Sequence, residues 1–250
     1  MSRFEVRNCR LTDGSWAVVR VENGKFESIL SPSVGLWEDA KTVNASGLTI
    51  IPGLCDAHVH DRHPGHPESE DFEHLERAMM IGGIVYSARM PNTDPAITTL
   101  EELEKKLQEM GPHADRIKVW FGATPDNINE IRQIAKHPAV CGVKMYMGSS
   151  TGNLLVAHQA HQQAIMEECA AAGLTVAVHA EDEQLMEENL QTLRLQRQPL
   201  LSDHCLIRDK PVEISAVKQA IELGLGSGAT LHFCHISSPE SLQLIRDAKD

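Results

Sequence analysis

His58 and His60 are the residues of this 250-residue chain whose type and spacing point most directly to chemistry. They follow an apolar segment, residues 50–57, that contains a single aspartate, Asp56. Alternate side chains of an extended strand share a face, so both imidazoles should project to the same side. Such a pair is suited to binding a divalent metal, and Arg62 could then hold an anionic substrate beside it. Two surface histidines on an edge strand are the alternative interpretation.

Lys144 lies within a second apolar segment, residues 140–147. Burying an unpaired ammonium is costly, so this lysine either reaches solvent from the strand end or has a lowered pKa. A neutral lysine amine can capture carbon dioxide as a carbamate, which is a carboxylate on a long arm that could bridge two cations. The residues alone leave both interpretations open.

Further histidines end two later apolar segments. His179 closes residues 176–179, and His232 and His235 both lie in residues 231–235. Because those two are three residues apart, they face opposite sides of a strand, and His235 is the better candidate ligand. Asn92, which follows another apolar segment, can both donate to and accept from the edge of a small molecule. Each of these residues alone also fits an ordinary structural role.

The elements that must position these residues alternate between apolar strands and amphipathic helices from residue 49 onward. The predicted strands span residues 49–59, 83–90, 117–123, 140–147, 174–179 and 230–236. The predicted helices span residues 71–81, 100–110, 127–135, 158–172, 211–223 and 239–248. This alternation is typical of parallel βαβ units. Residues 1–48 instead predict short strands separated by turns, and so a separate small domain.

Six βα units fit either a doubly wound sheet or a (β/α)8 TIM-type barrel. The glycine-rich turn that a doubly wound nucleotide fold needs after its first strand is missing, and polar residues follow nearly every strand. Both observations favour a barrel, so the predicted fold class is α/β with residues 49–250 as an incomplete barrel. Because a barrel needs eight strands, we expect the chain to be a fragment of a longer protein.

Composition narrows the function classes. The formal net charge of −12 argues against nucleic acid or an anionic membrane as the main partner. The six cysteines form no Cys-x-x-Cys pair and suggest no disulfide framework, and neither a signal core nor a membrane-length apolar window is present. These features predict a protein of a reducing, cytoplasmic compartment.

Taken together, the segments 56–65, 90–93, 143–146, 178–181 and 232–237 resemble the cyclic amidohydrolases, and most closely the dihydroorotases. The resemblance covers essentially the whole chain, in order. Arg62 and Asn92 are its discriminating residues, because the related allantoinases and hydantoinases usually lack that pair in those places. The resemblance further implies that residues 1–48 form part of a small β-sandwich.

The resemblance also implies two zinc ions at the mouth of a distorted barrel. The implied metal ligands are two histidines for the more buried ion, two for the outer ion and one bridging, carboxylated lysine: His58 and His60, His179 and His235, and Lys144. Arg62 and Asn92 would hold the substrate carboxylate. A hydroxide shared by the metals would attack a ring amide, interconverting N-carbamoyl-L-aspartate and (S)-dihydroorotate in de novo pyrimidine biosynthesis.

The chain departs from the family pattern at Asp61 and His63, where leucine and glutamate are usual. The family's acid/base aspartate follows the eighth strand, so we expect it beyond Asp250 and expect the chain alone to be inactive. We expect the longer protein to act on a small molecule and to form a homo-oligomer. Association with other pyrimidine-pathway enzymes is left open. Two alternatives stay open: another cyclic amidase, acting on allantoin or a hydantoin, and a non-catalytic dihydroorotase-like partner protein.

Overall fold

The computed structural model describes residues 2–150 and 153–249. It divides into two compact units, Met1–Gly53 and Leu54–Asp250. The predicted boundary lay at residues 48/49, a few residues earlier. The difference arises because Arg10 hydrogen-bonds the backbone of Leu48 and Ile50, which keeps residues 48–50 with the first unit.

The N-terminal unit is a four-stranded sheet in the order β3-β2-β1-β4, with antiparallel hairpins and β4 parallel to β1. Its strands are β1 (Arg3–Arg10), β2 (Trp16–Glu22), β3 (Lys25–Leu30) and β4 (Lys41–Asn44). Asn23 and Gly24 connect β2 to β3 with φ values of 52° and 76°, the backbone that a two-residue hairpin turn requires.

The C-terminal unit is built on six parallel strands in the sequential order β5 to β10. They are β5 (Leu54–Val59), β6 (Ile84–Arg89), β7 (Ile117–Gly122), β8 (Val140–Tyr146), β9 (Val176–His179) and β10 (Leu231–Phe233). A doubly wound sheet would reverse its strand order partway, whereas a barrel keeps neighbours sequential. The topology is therefore of the barrel type.

Helices follow the strands along the chain. They are α1 (Phe72–Ile81), α2 (Leu100–Met110), α3 (Ile128–Ile134), α4 (Gln159–Ala172), α5 (Glu183–Gln196), α6 (His204–Ile207), α7 (Lys210–Ser227) and α8 (Pro239–Asp247). The main apolar core lies between the strands β7 to β9 and the helices packed on them, with Phe121, Val143 and Ile165 fully buried. Within the described residues, no helix combines the length and apolar character needed to cross a bilayer.

Several predicted elements differ from the structure, and the strand predicted over residues 49–59 begins only at Leu54. The strand predicted over residues 230–236 ends at Phe233, because His235 has a left-handed backbone with φ of 36°. The sequence pattern also missed α5, in which Met186 is the buried residue, so its apolar face is weak. The sequence Ser-Ser-Thr-Gly-Asn at residues 149–153 also predicts a hydroxyl-rich loop over the site, but two of its residues, Thr151 and Gly152, lie outside the described residues.

Candidate metal centre

The carboxyl ends of four strands bring the predicted ligands to one edge of the sheet. His58 lies on β5 and His60 directly follows it, Lys144 lies on β8, His179 ends β9, and His235 lies in the turn after β10. Consecutive parallel strands present their carboxyl ends at the same edge, so residues up to 177 positions apart along the chain become neighbours.

His58 and His60, called here the inner histidine pair, face each other with 3.2 Å between their Nε2 atoms. The Nδ1 atom of His60 lies 2.7 Å from the side-chain oxygen of Asn92. Because that oxygen only accepts, Nδ1 carries the proton and Nε2 of His60 keeps its lone pair. Partial burial and the nearby Lys144 lower the pKa of His58 to about 4, so this imidazole is neutral at pH 7.

His179 and His235, called here the outer histidine pair, approach through different nitrogens, with 3.2 Å between Nδ1 of His179 and Nε2 of His235. The Nε2 atom of His179 donates to the carboxylate of Glu181, which leaves Nδ1 as the atom with the lone pair. Arg208 also donates to Glu181 and reaches the backbone oxygen of Ser149 at 2.7 Å. Glu181 is thereby fixed on both sides.

The two histidine pairs are adjacent, since the ring centroids of His58 and His235 lie 5.3 Å apart. Partial burial, followed by the proximity of His179 and Lys144, lowers the pKa of His235 to about 4. The left-handed backbone of His235 costs about 1–2 kcal/mol for a residue with a side chain. Glu213 anchors the chain two and three residues further on by accepting from the backbone N–H groups of Ser237 and Ser238, at 2.9 Å each. The strained turn is therefore held from α7.

Lys144 is 1% exposed, which excludes the interpretation in which it reaches solvent. Its Nζ atom donates to Sγ of Cys234 at 3.0 Å and lies 4.9 Å from the ring centre of Tyr146. No carboxylate among the described residues forms a salt bridge with it. Burial lowers the pKa of this amine, because the charged form loses its hydration.

The spacing of the histidine nitrogens fits zinc, but two histidines are too few ligands for one zinc ion. Two nitrogens bound to one tetrahedral zinc ion at about 2.0–2.1 Å lie roughly 3.3 Å apart, close to the spacing in both histidine pairs. Without an ion, an N–H group of one imidazole can donate to the lone pair of the other at this distance. Within residues 2–150 and 153–249, however, no group of three or more histidine, cysteine, aspartate or glutamate side chains is arranged to hold a metal. A third ligand for each pair has to be of another kind.

Arg62 and Asn92 line one cavity of about 330 Å³, whose other lining residues are Pro64, His66, Thr93, Asp94, Ala96 and Asn153. That volume is in the range of small-molecule sites. The outer histidine pair lines a second cavity of about 460 Å³ with Arg208. Each of these two cavities is therefore lined by an arginine, Arg62 in one and Arg208 in the other.

Three other residues lie outside the two histidine pairs: His232, Glu181 and Arg208. His232 stacks on Trp120, with 5.8 Å between ring centroids, and belongs to the sheet rather than to the histidine pairs. Glu181 and Arg208 contact the outer pair and had no predicted role. The His-x-Glu spacing is a usable signal for Glu181, since residues two apart at a strand end share a side. Arg208, which donates to Glu181, lies 27 residues further along the chain, and no local sequence pattern predicts this contact.

No protein-family model matches the chain. The chain is nevertheless similar to several individual known proteins. An allantoinase of Deinococcus radiodurans is 31% identical over 84% of this chain and 47% of the relative. A dihydroorotase of Methanosarcina acetivorans is 29% identical over 93% of this chain and 49% of the relative. The chain thus spans about half the length of the curated relatives it matches.

Among solved structures, the L-hydantoinase (dihydropyrimidinase) of Arthrobacter aurescens superposes with a TM-score of 0.87 at 27% identity, covering 100% of this chain and 56% of that one. The match confirms the predicted fold, an incomplete TIM-type barrel preceded by a small β-domain. The names of the relatives do not separate the three substrate classes. The chain is homologous to the cyclic amidohydrolases, a group represented among its relatives by allantoinases, dihydroorotases and hydantoinases.

Proposed function

We propose that this chain provides the metal-binding part of a cyclic amide hydrolase with two zinc ions, and that its substrates are dihydroorotate and N-carbamoyl-aspartate. The observation that carries the proposal is the arrangement of four imidazoles in two pairs, each with a 3.2 Å nitrogen–nitrogen distance, next to the buried amine of Lys144. Homology to allantoinases, dihydroorotases and hydantoinases agrees with this chemistry.

The missing third ligand of each pair would come from Lys144. Its lowered pKa favours the neutral amine, whose lone pair attacks the carbon of carbon dioxide. A nitrogen–carbon bond forms, one carbon–oxygen π bond opens, and a proton leaves Nζ for solvent. The product is a carbamate with one negative charge and two oxygens, through which Lys144 would help to hold both ions. This reaction replaces a buried neutral amine by an anion that would lie between two cations.

Bound zinc supplies Lewis-acid polarisation of a carbonyl and a source of activated water near neutral pH. The other tasks belong to the chain. His58, His60 and His235 enter as neutral donors, since burial lowers their pKa values. Glu181 and Asn92 fix which nitrogen of His179 and of His60 carries the proton, and so which nitrogen is left to bind.

The substrate assignment rests on charge. Dihydroorotate and N-carbamoyl-aspartate carry carboxylates, whereas allantoin and the unsubstituted hydantoin ring carry none. Arg62 presents a guanidinium, which can bind a carboxylate through two parallel hydrogen bonds, to the cavity that it shares with Asn92. Allantoin remains the second candidate, because an allantoinase is the relative with 31% identity.

The proposal is tested first by metal content and then by binding. The purified chain, incubated with zinc and bicarbonate and then desalted, should retain two zinc ions, and retention of less than one would contradict the metal assignment. By calorimetry, this zinc-loaded chain should bind dihydroorotate more tightly than allantoin. Arg62→Ala should weaken dihydroorotate binding at least about tenfold and leave allantoin binding unchanged, since it removes a charge-assisted contact. Equal weakening of both ligands would favour a substrate without a carboxylate.

A further inference from the structure

A second group of charged side chains lies in the interior of the C-terminal unit, around the residue that follows His60 in the chain. Asp61 is 1% exposed and accepts from Nη1 of Arg89 at 3.0 Å and from Nζ of Lys106 at 2.7 Å. Both cations are as deeply buried as the carboxylate. We call Asp61, Arg89 and Lys106 the buried ion cluster.

The carboxylate of Glu76 balances the charge of the buried ion cluster. The second nitrogen of the Arg89 guanidinium lies 3.7 Å from the carboxylate of Glu76, and its Nε donates to Ser87 at 3.1 Å. Glu76 accepts in turn from Arg116, a half-exposed residue, at 2.9 Å. Two buried carboxylates thus face two buried cations, which offsets much of the cost of removing ions from water.

The position of the cluster in the chain connects it to the site. Asp61 lies between His60, a proposed zinc ligand, and Arg62, the proposed carboxylate ligand. Arg89 ends β6, three residues before Asn92, and Lys106 lies on α2, where it also donates to the backbone oxygen of His63 at 3.3 Å. Three separate elements therefore meet at one carboxylate.

Asp61 is buried, whereas its neighbours His60 and Arg62 are only partly buried; His60 contacts His58, and Arg62 lines the cavity with Asn92. The hold on Asp61 therefore restrains the backbone between these two site residues. A salt bridge buried in this way is not needed for stability as such, since apolar side chains of similar volume often do as well. The directional hold on Asp61 is what apolar packing would not supply.

We propose that Asp61 is a positioning residue: held by Arg89 and Lys106, it sets the direction of the turn that aims His60 at His58 and Arg62 into the cavity with Asn92. This inference rests on the proposed function, because Asp61 acts through a zinc ligand and a substrate ligand. It assigns a role in metal affinity and in substrate affinity to a residue that touches neither.

The test compares Asp61→Asn with a matched control, Glu5→Gln, in the zinc-loaded chain. Glu5 is also a fully buried carboxylate held by two cations, at 3.0 and 3.3 Å, but it lies in the N-terminal unit, which supplies no site residue. Chelator competition measures the affinity of each zinc ion, the cobalt(II) absorption spectrum reports ligand geometry, and calorimetry measures dihydroorotate binding. Circular dichroism verifies that each variant is folded at the temperature used.

In Asp61→Asn, we expect one zinc ion to bind about 10- to 100-fold more weakly, the range found when a group that orients a ligand is lost. The other ion should change less than about twofold, and dihydroorotate affinity should fall at least about tenfold. Glu5→Gln should lower the denaturation midpoint without changing either affinity. Unchanged zinc affinities in a folded Asp61→Asn chain would overturn the inference and leave the proposed function intact.

Two further results are separable from these. If the unaltered chain binds no zinc, the proposed function itself fails, and the inference fails with it. If Asp61→Asn does not fold, Lys106→Met takes its place, since it keeps the ion pair between Asp61 and Arg89. That variant should weaken the same zinc ion several-fold, and an unchanged affinity would overturn the inference.

Discussion

Replacing Lys144 by methionine should change the stability of the metal-free and the zinc-loaded chain in opposite directions. In the metal-free chain, the Lys144 amine is buried beside a thiol and an aromatic ring. No carboxylate among the described residues forms a salt bridge with it. Methionine fills a similar volume without a charge. The substitution therefore removes a desolvation cost, and with it the atom that we propose to carry the carbamate.

The size of the gain has an upper limit set by protonation. An unfolded lysine has a pKa of about 10.4, so giving up its proton at pH 7 costs roughly 4.6 kcal/mol at about 1.36 kcal/mol per pH unit. The folded chain cannot lose more than this, because it can bury the neutral amine instead. The contacts with Cys234 and Tyr146 return part of the cost, about 1–2 kcal/mol for a weak hydrogen bond and a cation–π contact. We therefore expect metal-free Lys144→Met to be about 1–3 kcal/mol more stable at pH 7.

The sign of the pH dependence follows from the lowered pKa of Lys144. Between that lowered pKa and about 10.4, the unfolded chain binds a proton that the folded chain does not, so the free energy of unfolding rises with pH. Below this window the folded chain carries the full cost. Lys144→Met lacks this dependence, and its advantage should shrink as the pH rises.

Urea denaturation in chelator, and again in zinc with bicarbonate, measures both effects. The unaltered chain should be stabilised by zinc, whereas Lys144→Met should gain little and retain fewer than two ions. Lys106→Met is the matched control, because Lys106 is equally buried but paired with Asp61, so its loss should destabilise the metal-free chain. A Lys144→Met chain that retains both zinc ions would refute the bridging role. A metal-free variant less stable than the unaltered chain would refute the argument from desolvation.

Three further predictions concern the surroundings of the site. Burial alone would raise the pKa of Glu213, but hydrogen bonds from the turn after β10 lower it to about 2, so its contribution is present above about pH 4.5 and lost as the pH falls toward 2. Glu213→Gln should therefore flatten the loss of stability in that window, by about 1 kcal/mol after allowance for solvent screening, in urea denaturation at successive pH values. Glu181→Gln should weaken one zinc ion, that of the outer histidine pair, about 10- to 100-fold in chelator competition, while the other ion is unaffected. Gly142→Ala would place its Cβ 2.5 Å from a backbone oxygen and an indole carbon and should lower the free energy of unfolding by about 1–3 kcal/mol. Gly226→Ala, in open space on α7, should raise it by up to about 1 kcal/mol. Denaturation midpoints measure both effects.

The fold was predictable because its signal is local. Each barrel strand is a short apolar segment, and the polar residue that ends it marks the edge where the site lies, as with Lys144 on β8 and His179 on β9. Strand boundaries were less predictable where the backbone itself changes, as at His235, whose left-handed conformation is not written in the residue type. The helix α5 was missed for a related reason, since its burial depends on Met186 alone.

The parts of the site that could not be predicted are those whose partners are distant in sequence. In the sequence, Asp61 was notable only as a departure from the family pattern, yet it is buried because Arg89 and Lys106, 28 and 45 residues away, converge on it. No periodicity connects these positions. A charged side chain is normally assigned to the surface, and only the tertiary structure shows that two cations neutralise this one.

The same distinction separates the ligands from the groups that prepare them. The histidines could be read from strand ends, but which nitrogen each one offers is decided by other elements: Asn92, after β6, leaves His60 its Nε2, whereas Glu181, after β9, leaves His179 its Nδ1. The opposite tautomer of His60 would lose its hydrogen bond to the Asn92 oxygen, and that of His179 would lose its hydrogen bond to the Glu181 carboxylate. A metal arriving at the site would find its nitrogens already oriented, and that orientation, more than the count of histidines, distinguishes this edge from a chance cluster.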